Sequence, residues 1–139
     1  MRSAVIWAGG SARVSYMMYP ALRTVAAAFT SFGFTVTTGT GMRRLLSGEW
    51  LLSGLTPADA FVWIGVFDLI AAVAKQMKVL TERGFFTVFY ATESHEIWDT
   101  ECSLLTKLAV REVWQYTAAN VARCPSTRLG KPVRLLPPG

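Results

Sequence analysis

The stretch Phe85-Phe86-Thr87-Val88-Phe89-Tyr90-Ala91 lies between Gly84 and the polar cluster Thr92-Glu93-Ser94-His95-Glu96, and its reading decides the fold. A short, almost wholly apolar run of this kind is the signature of a strand buried on both faces, here emptying into a polar loop. About twenty residues on, Glu112-Val113-Trp114-Gln115-Tyr116-Thr117 repeats the arrangement and leads into Ala118-Ala119-Asn120-Val121. Two strands thus deliver polar residues to one edge. In a parallel sheet that edge binds ligands, because strand carboxyl ends and helix N-termini meet there.

Working outward, the same alternation recurs. Ala4 to Ala8 is an apolar, β-prone run stopped by Gly9-Gly10, and a helix follows from Tyr19-Pro20, with Leu22, Val25, Ala26 and Phe29 on one face until Gly33. Phe34 to Thr38 is a β-branched strand ending at Gly39. Met42 to Asp59 suggests short helical pieces before the Pro57 boundary. Phe61-Val62-Trp63-Ile64 is a buried strand ending at Gly65, and Leu69, Ile70, Val73, Met77 and Leu80 line one face of the next helix up to Gly84. Leu104, Leu105, Leu108 and Ala109 suggest a further helix, and Val133 to Leu136 a last strand. Strand and helix in alternation predict an α/β fold: a Rossmann-like three-layer sandwich with a mostly parallel sheet, formed by residues 1–139 as one domain.

Composition narrows the classes. With 52% hydrophobic and 17% charged residues the chain is not a disordered one. Its longest nearly uncharged stretch, Ala60 to Ala74, is interrupted by Asp68 and falls short of the roughly 20 residues of a membrane span. The apolar run before Gly9 is too short for a signal peptide, so a cytoplasmic protein is expected. On that basis Cys102 and Cys124, which lack metal-site spacing, are read as two reduced thiols. The net charge of +5 sits toward both ends of the chain, without the basic, aromatic-interleaved stripe of a nucleic-acid binder.

Several residues at the strand exits carry chemistry. Gly9 and Gly10 can bring backbone N–H groups to an oxyanion, although the G-x-G-x-x-G spacing and a P-loop Lys are missing; a tight turn is the plainer role. Glu93 and His95 lie among Glu96, Asp99 and Glu101, an array suited to a general base or merely to a solvated acidic loop, with nothing that fixes a metal geometry. Asp68 can cap a helix or bind a hydroxyl. Tyr116, Thr117 and Asn120 fall at a strand-to-helix turn where Thr117 is the natural N-cap, and Asn120 reads as structural before catalytic. Trp7, Trp63 and Trp114 are expected in the core, with Trp50 and Trp98 free to be exposed.

The series Phe89-Tyr90-Ala91-Thr92-Glu93, then Glu112 to Val121, then Val133 to Gly139 resembles the N-terminal half of GT-B-type glycosyltransferases. There a Y-x-T-E strand end precedes a W-D-Y-S-x-x-N turn and a Y-V-P-P-G strand. This chain has Gln115 for the Asp, Thr117 for the Ser and Leu136 before the two prolines. The resemblance spans about the last 55 residues; the first 80 match in architecture alone. It implies an acceptor-side domain that faces a sugar acceptor across a cleft, with Gly9, Gly10, Ser11, Arg13, Tyr116 and Asn120 as substrate-binding candidates and Glu93, His95 and Asp68 as weak catalytic ones. It also implies that a nucleotide sugar is held by a C-terminal donor domain not included in these residues, supplied by further sequence, a partner chain or an oligomer. The chain itself then needs no cofactor. The competing expectation is a non-catalytic Rossmann-like interaction module with an exposed apolar face; a flavodoxin-like cofactor binder is the weaker third.

Overall fold

The computed structural model describes residues 2–9, 18–40, 59–67, 70–92 and 96–137. Gly10, Ser11, Arg13, Asp68, Glu93 and His95 lie outside them, as do Met42 to Ala58, Leu69 and Trp50. The elements are β1 (Ser3–Ala8), α1 (Tyr19–Ser31), β2 (Thr35–Thr40), β3 (Ala60–Gly65), α2 (Ile70–Glu82), β4 (Phe86–Ala91), α3 (Asp99–Lys107), β5 (Glu112–Gln115), α4 (Ala118–Arg123), α5 (Ser126–Leu129) and β6 (Val133–Leu135).

Their local causes are readable. Pro20 opens α1, where its missing N–H costs nothing, and Gly33 leaves the helix at φ +87°, a left-handed turn that a side chain would resist. In α2, Ile70, Val73, Met77 and Leu80 recur every three or four residues and are all buried. The helix read around Leu104 begins earlier, at Asp99. Its buried residues are Cys102 and Leu105, three apart, so Leu104 turns outward. Two short helices lie between β5 and β6: α4 follows the Thr117 turn, as expected, and α5 was not anticipated. Pro125 separates them, since it cannot continue α4 yet suits the residue before α5, and Gly130 ends α5 at φ +72°.

All six strands are parallel, in the order β2-β1-β3-β4-β5-β6. The α/β class and the Rossmann-like three-layer arrangement are therefore those expected. The chain reverses direction across the sheet at β1, and right-handed crossovers turn that reversal into a division of faces. The step from β1 to β2 runs one way and puts α1 on one face. The steps from β3 through β6 run the other way and put α2 to α5 on the opposite face. Side chains alternate accordingly: Val5, Trp7, Phe61, Trp63, Phe89 and Val113 join the core under α2 to α5, while Ile6, Val62, Ile64, Val88 and Tyr90 join the one under α1.

Among the described residues α1 is the one helix on its face, and it does not reach β5 and β6. There the sheet is finished with polar groups. Arg134 donates through Nε and a second nitrogen to the two oxygens of Glu112, both at 3.0 Å, and Trp114 Nε1 donates to Glu112 Oε2 at 3.0 Å. Burial pushes the Glu112 carboxyl up, but the bonds from Arg134 and Trp114 together with the Arg134 charge outweigh it, and the pKa lies below the usual carboxylate value.

The cysteines correct the sequence expectation. Cys102 of α3 and Cys124, just past α4, are joined as a disulfide with Cα atoms 5.8 Å apart. Both are fully buried on one face, where consecutive crossovers bring their helices side by side, a proximity that a separation of 22 residues does not reveal. No helix among the described residues is long and apolar enough to cross a membrane. Opening the bridge is expected to cost about 3 kcal/mol for a loop of this length. Urea midpoints with and without reductant measure this, and two titratable thiols in the unfolded, unreduced protein would show instead that the bridge does not form.

Candidate functional site

The carboxyl ends of the strands share one rim, as parallel pairing requires. Gly9 follows β1, Val66 and Phe67 follow β3, Thr92 follows β4 and Tyr116 follows β5. The switch of direction at β1 makes the rim between β1 and β3 the usual ligand position of open α/β sheets. Gly9 lies there, but its N–H donates to the Ile64 carbonyl at 3.0 Å, so the ladder takes the donor that an oxyanion would need. Thr92 is likewise turned inward, with its N–H and its hydroxyl both donating to the Gly65 carbonyl at 3.3 Å.

Tyr116 and Asn120 leave the same strand exit for different faces. Tyr116 is half-buried on the α1 side, its ring 5.7 Å from that of Tyr90, in a small hollow with Pro20, Ala21, Val25 and Leu136. The Tyr90 hydroxyl donates to the Leu136 carbonyl at 2.5 Å; burial, and then neighbouring Tyr116, raise its pKa well above the ordinary tyrosine range. Beyond them an apolar groove of about 290 Å³ runs between α1 and the uncovered strands, lined by Val25, Ala28, Phe29, Phe32, Trp114 and Leu136.

Asn120 is completely buried on the other face. Thr117 caps α4 by accepting from the Asn120 N–H at 3.3 Å, as its position in the sequence suggested. The Asn120 side chain then accepts, through Oδ1, from the Ile97 N–H at 3.1 Å. Its observed contact is thus to the loop after β4. That loop leads into α3, where Glu101 Oε1 accepts from the Trp98 N–H at 2.8 Å, and Trp98 itself is 66% exposed. Glu96 pairs with Arg123 at 2.6 Å and Asp99 with Arg128 at 3.0 Å. Glu96, Ile97, Trp98 and Arg123 enclose a hollow of about 380 Å³.

Two groups that the sequence reading had not singled out as site residues stand out under α2 to α5. The amide oxygen and nitrogen of Gln115 and the indole nitrogen of Trp63 are buried without a hydrogen-bond partner among the described residues. Gln115, Ala91 and Gly65 form one row across β5, β4 and β3, and the Trp63 ring leans over Gly65, where a Cβ would strike it. The Gln at the position where the resemblance leads one to expect Asp was the available signal.

No protein-family model matches this chain, and neither does any of the curated proteins compared with it.

Replacing Asn120 by Ala leaves the buried Ile97 N–H without its acceptor, a loss of about 1 to 3 kcal/mol. Amide exchange at Ile97 and Trp98 should accelerate more than exchange in α2. Uniform acceleration across the molecule would mean that Asn120 supports the fold at large rather than this loop.

Proposed function

We propose that the chain is the acceptor-side domain of a sugar-nucleotide-dependent glycosyltransferase of the GT-B type, with the nucleotide sugar bound by a separate donor domain. The observation that carries this reading is spatial. The three segments of the resemblance lie on β4, β5 and β6, which are adjacent in the sheet and empty onto one rim. Chemistry in such an enzyme requires an acceptor hydroxyl to be held and relieved of its proton near the sugar carbon. The domain supplies the holding part; its candidates under this reading are Glu93, His95 and Asp68 as proton acceptors and Gly10, Ser11 and Arg13 for substrate binding. The cytoplasmic setting expected from the sequence is the part of this reading with least support. The Cys102–Cys124 bridge bears on that point, because disulfides persist mainly in oxidising compartments.

UDP-glucose titrated calorimetrically into this chain is expected to give no saturable heat, and the chain alone should transfer no glucose to a simple glycoside. Saturable binding that shifts the Gly9 and Thr92 amides would make the rim a donor site and overturn the acceptor-side assignment.

A second reading, a non-catalytic interaction module, draws on the groove beside α1. An apolar helix from another polypeptide fits beside α1, where Trp114 and Leu136 have no helix over them among the described residues. Sedimentation decides this. If the groove is an interface, exposure of it in the isolated chain should show as association that Trp114→Arg weakens; a single monomeric species at every concentration, unchanged by that substitution, counts against it.

A further inference from the structure

We infer that the hollow formed by Glu96, Ile97, Trp98 and Arg123 is a subsite for a neutral pyranose ring, stacked on the Trp98 indole. The inference deepens the acceptor-side reading and rests on it for the ring's role as acceptor; the binding chemistry stands on the residues themselves.

Trp98 is the starting point. The Trp98 indole is 66% exposed beside the hollow. The Trp98 N–H is tied to Glu101 and the preceding Ile97 N–H to buried Asn120, so the backbone on both sides is fixed. An exposed indole on an anchored backbone offers a flat face to a flat apolar partner.

The polar wall narrows the partner. Arg123 gives one guanidinium nitrogen to Glu96, and its buried Nε has no acceptor among the described residues. Side by side, a carboxylate and a guanidinium present an acceptor and a fan of donors, the pair that neighbouring ring hydroxyls need. A pyranose has that composition: C–H groups on one face for the indole and hydroxyls at the rim for the ion pair.

Charge argues against a nucleotide. Glu96, Asp99 and Glu101 stand at the entrance to α3, against Arg123 and Arg128, and each arginine is already paired. The N-terminal end of the helix, elsewhere an anion site, carries its own carboxylates. A phosphate would meet repulsion that a neutral sugar avoids.

Methyl β-D-glucopyranoside and cellobiose, titrated separately into the nitrogen-15-labelled chain, test the inference. The Trp98 indole resonance, identified by its loss in Trp98→Ala, should move saturably at millimolar sugar. Trp98→Ala should abolish binding, Arg123→Gln should weaken it about tenfold, and Phe86→Ala, an exposed aromatic at the amino end of β4, should change nothing. Absence of movement, movement elsewhere that survives Trp98→Ala, or tighter binding of uridine monophosphate at Trp98 would each overturn the subsite. The outcomes separate from those of the parent reading: sugar bound at Trp98 in a chain that also captures UDP-glucose keeps the subsite and removes the acceptor-side assignment. Unbound sugar with no UDP-glucose uptake removes the subsite alone.

Discussion

Parallel pairing is the constraint on which this molecule depends. Two parallel strands cannot be joined by a tight turn, and among the described residues helices lie between β1 and β2, β3 and β4, β4 and β5, and β5 and β6. Every strand then empties at the same edge. The handedness of the crossovers does the rest, since a path that reverses across the sheet must change faces when it does so. Among the described residues one helix packs on the face of the leftward step and four on the face of the rightward steps, and this inequality explains features that look unrelated. Glu112 and Arg134 occupy the thinly covered strands because water remains close enough to solvate an ion pair there, whereas the opposite side of β5 holds Val113 in a closed core.

The closed core is packed through size contrast. Trp7 lies over Gly39 of the neighbouring strand and Trp63 over Gly65 of its own, positions where even a methyl group would overlap the indole. The glycines are fixed by what their neighbours need, not by turn geometry. Trp63 in turn stacks against Phe89, ring centres 4.6 Å apart, and this continues the layer toward β5. Gln115 is the exception in that layer, a buried amide lying in a row of small residues at the rim.

Legibility in the sequence followed periodicity. The helix of Val73, Met77 and Leu80 and the strand of Val62, Trp63 and Ile64 were readable because their apolar spacing matches a helix face and a strand buried on both sides. Leu104 misled because three leucines in five residues satisfy more than one helical register, and the burial of Cys102 selects the other one. The helices of Ala118 and Ser126 are too short to show a period at all. The disulfide depends on which helices become neighbours, a tertiary fact with no local trace. At the rim, Thr117 was legible as a cap because its role is local, while the Asn120 bond to Ile97 spans 23 residues and was not. Glu93, His95, Asp68, Gly10, Ser11 and Arg13 fall outside the described residues, so the site is legible here from Gly9, Tyr116 and Asn120 and their surroundings.

Those three candidates show how a shared edge differs from a shared pocket. Strand exits on one rim still alternate between faces, so Tyr116 turns toward α1 and the apolar groove, while Asn120, on the helix that follows, sits beneath the loop that carries Trp98. Gly9 lies at the exit of β1, on the far side of β3 and β4 from both, with its donor already used in the ladder. The two faces accordingly offer environments of opposite character: a greasy groove beside one helix, and a hollow walled by an ion pair and an indole beside the others. The second suits a small hydroxylated ligand because its charges are mutually neutralised yet still able to accept and donate. The first lacks polar groups to orient such a ligand and suits a side-chain or helix surface instead. The proposed sugar subsite and the proposed polypeptide groove therefore draw on different residues.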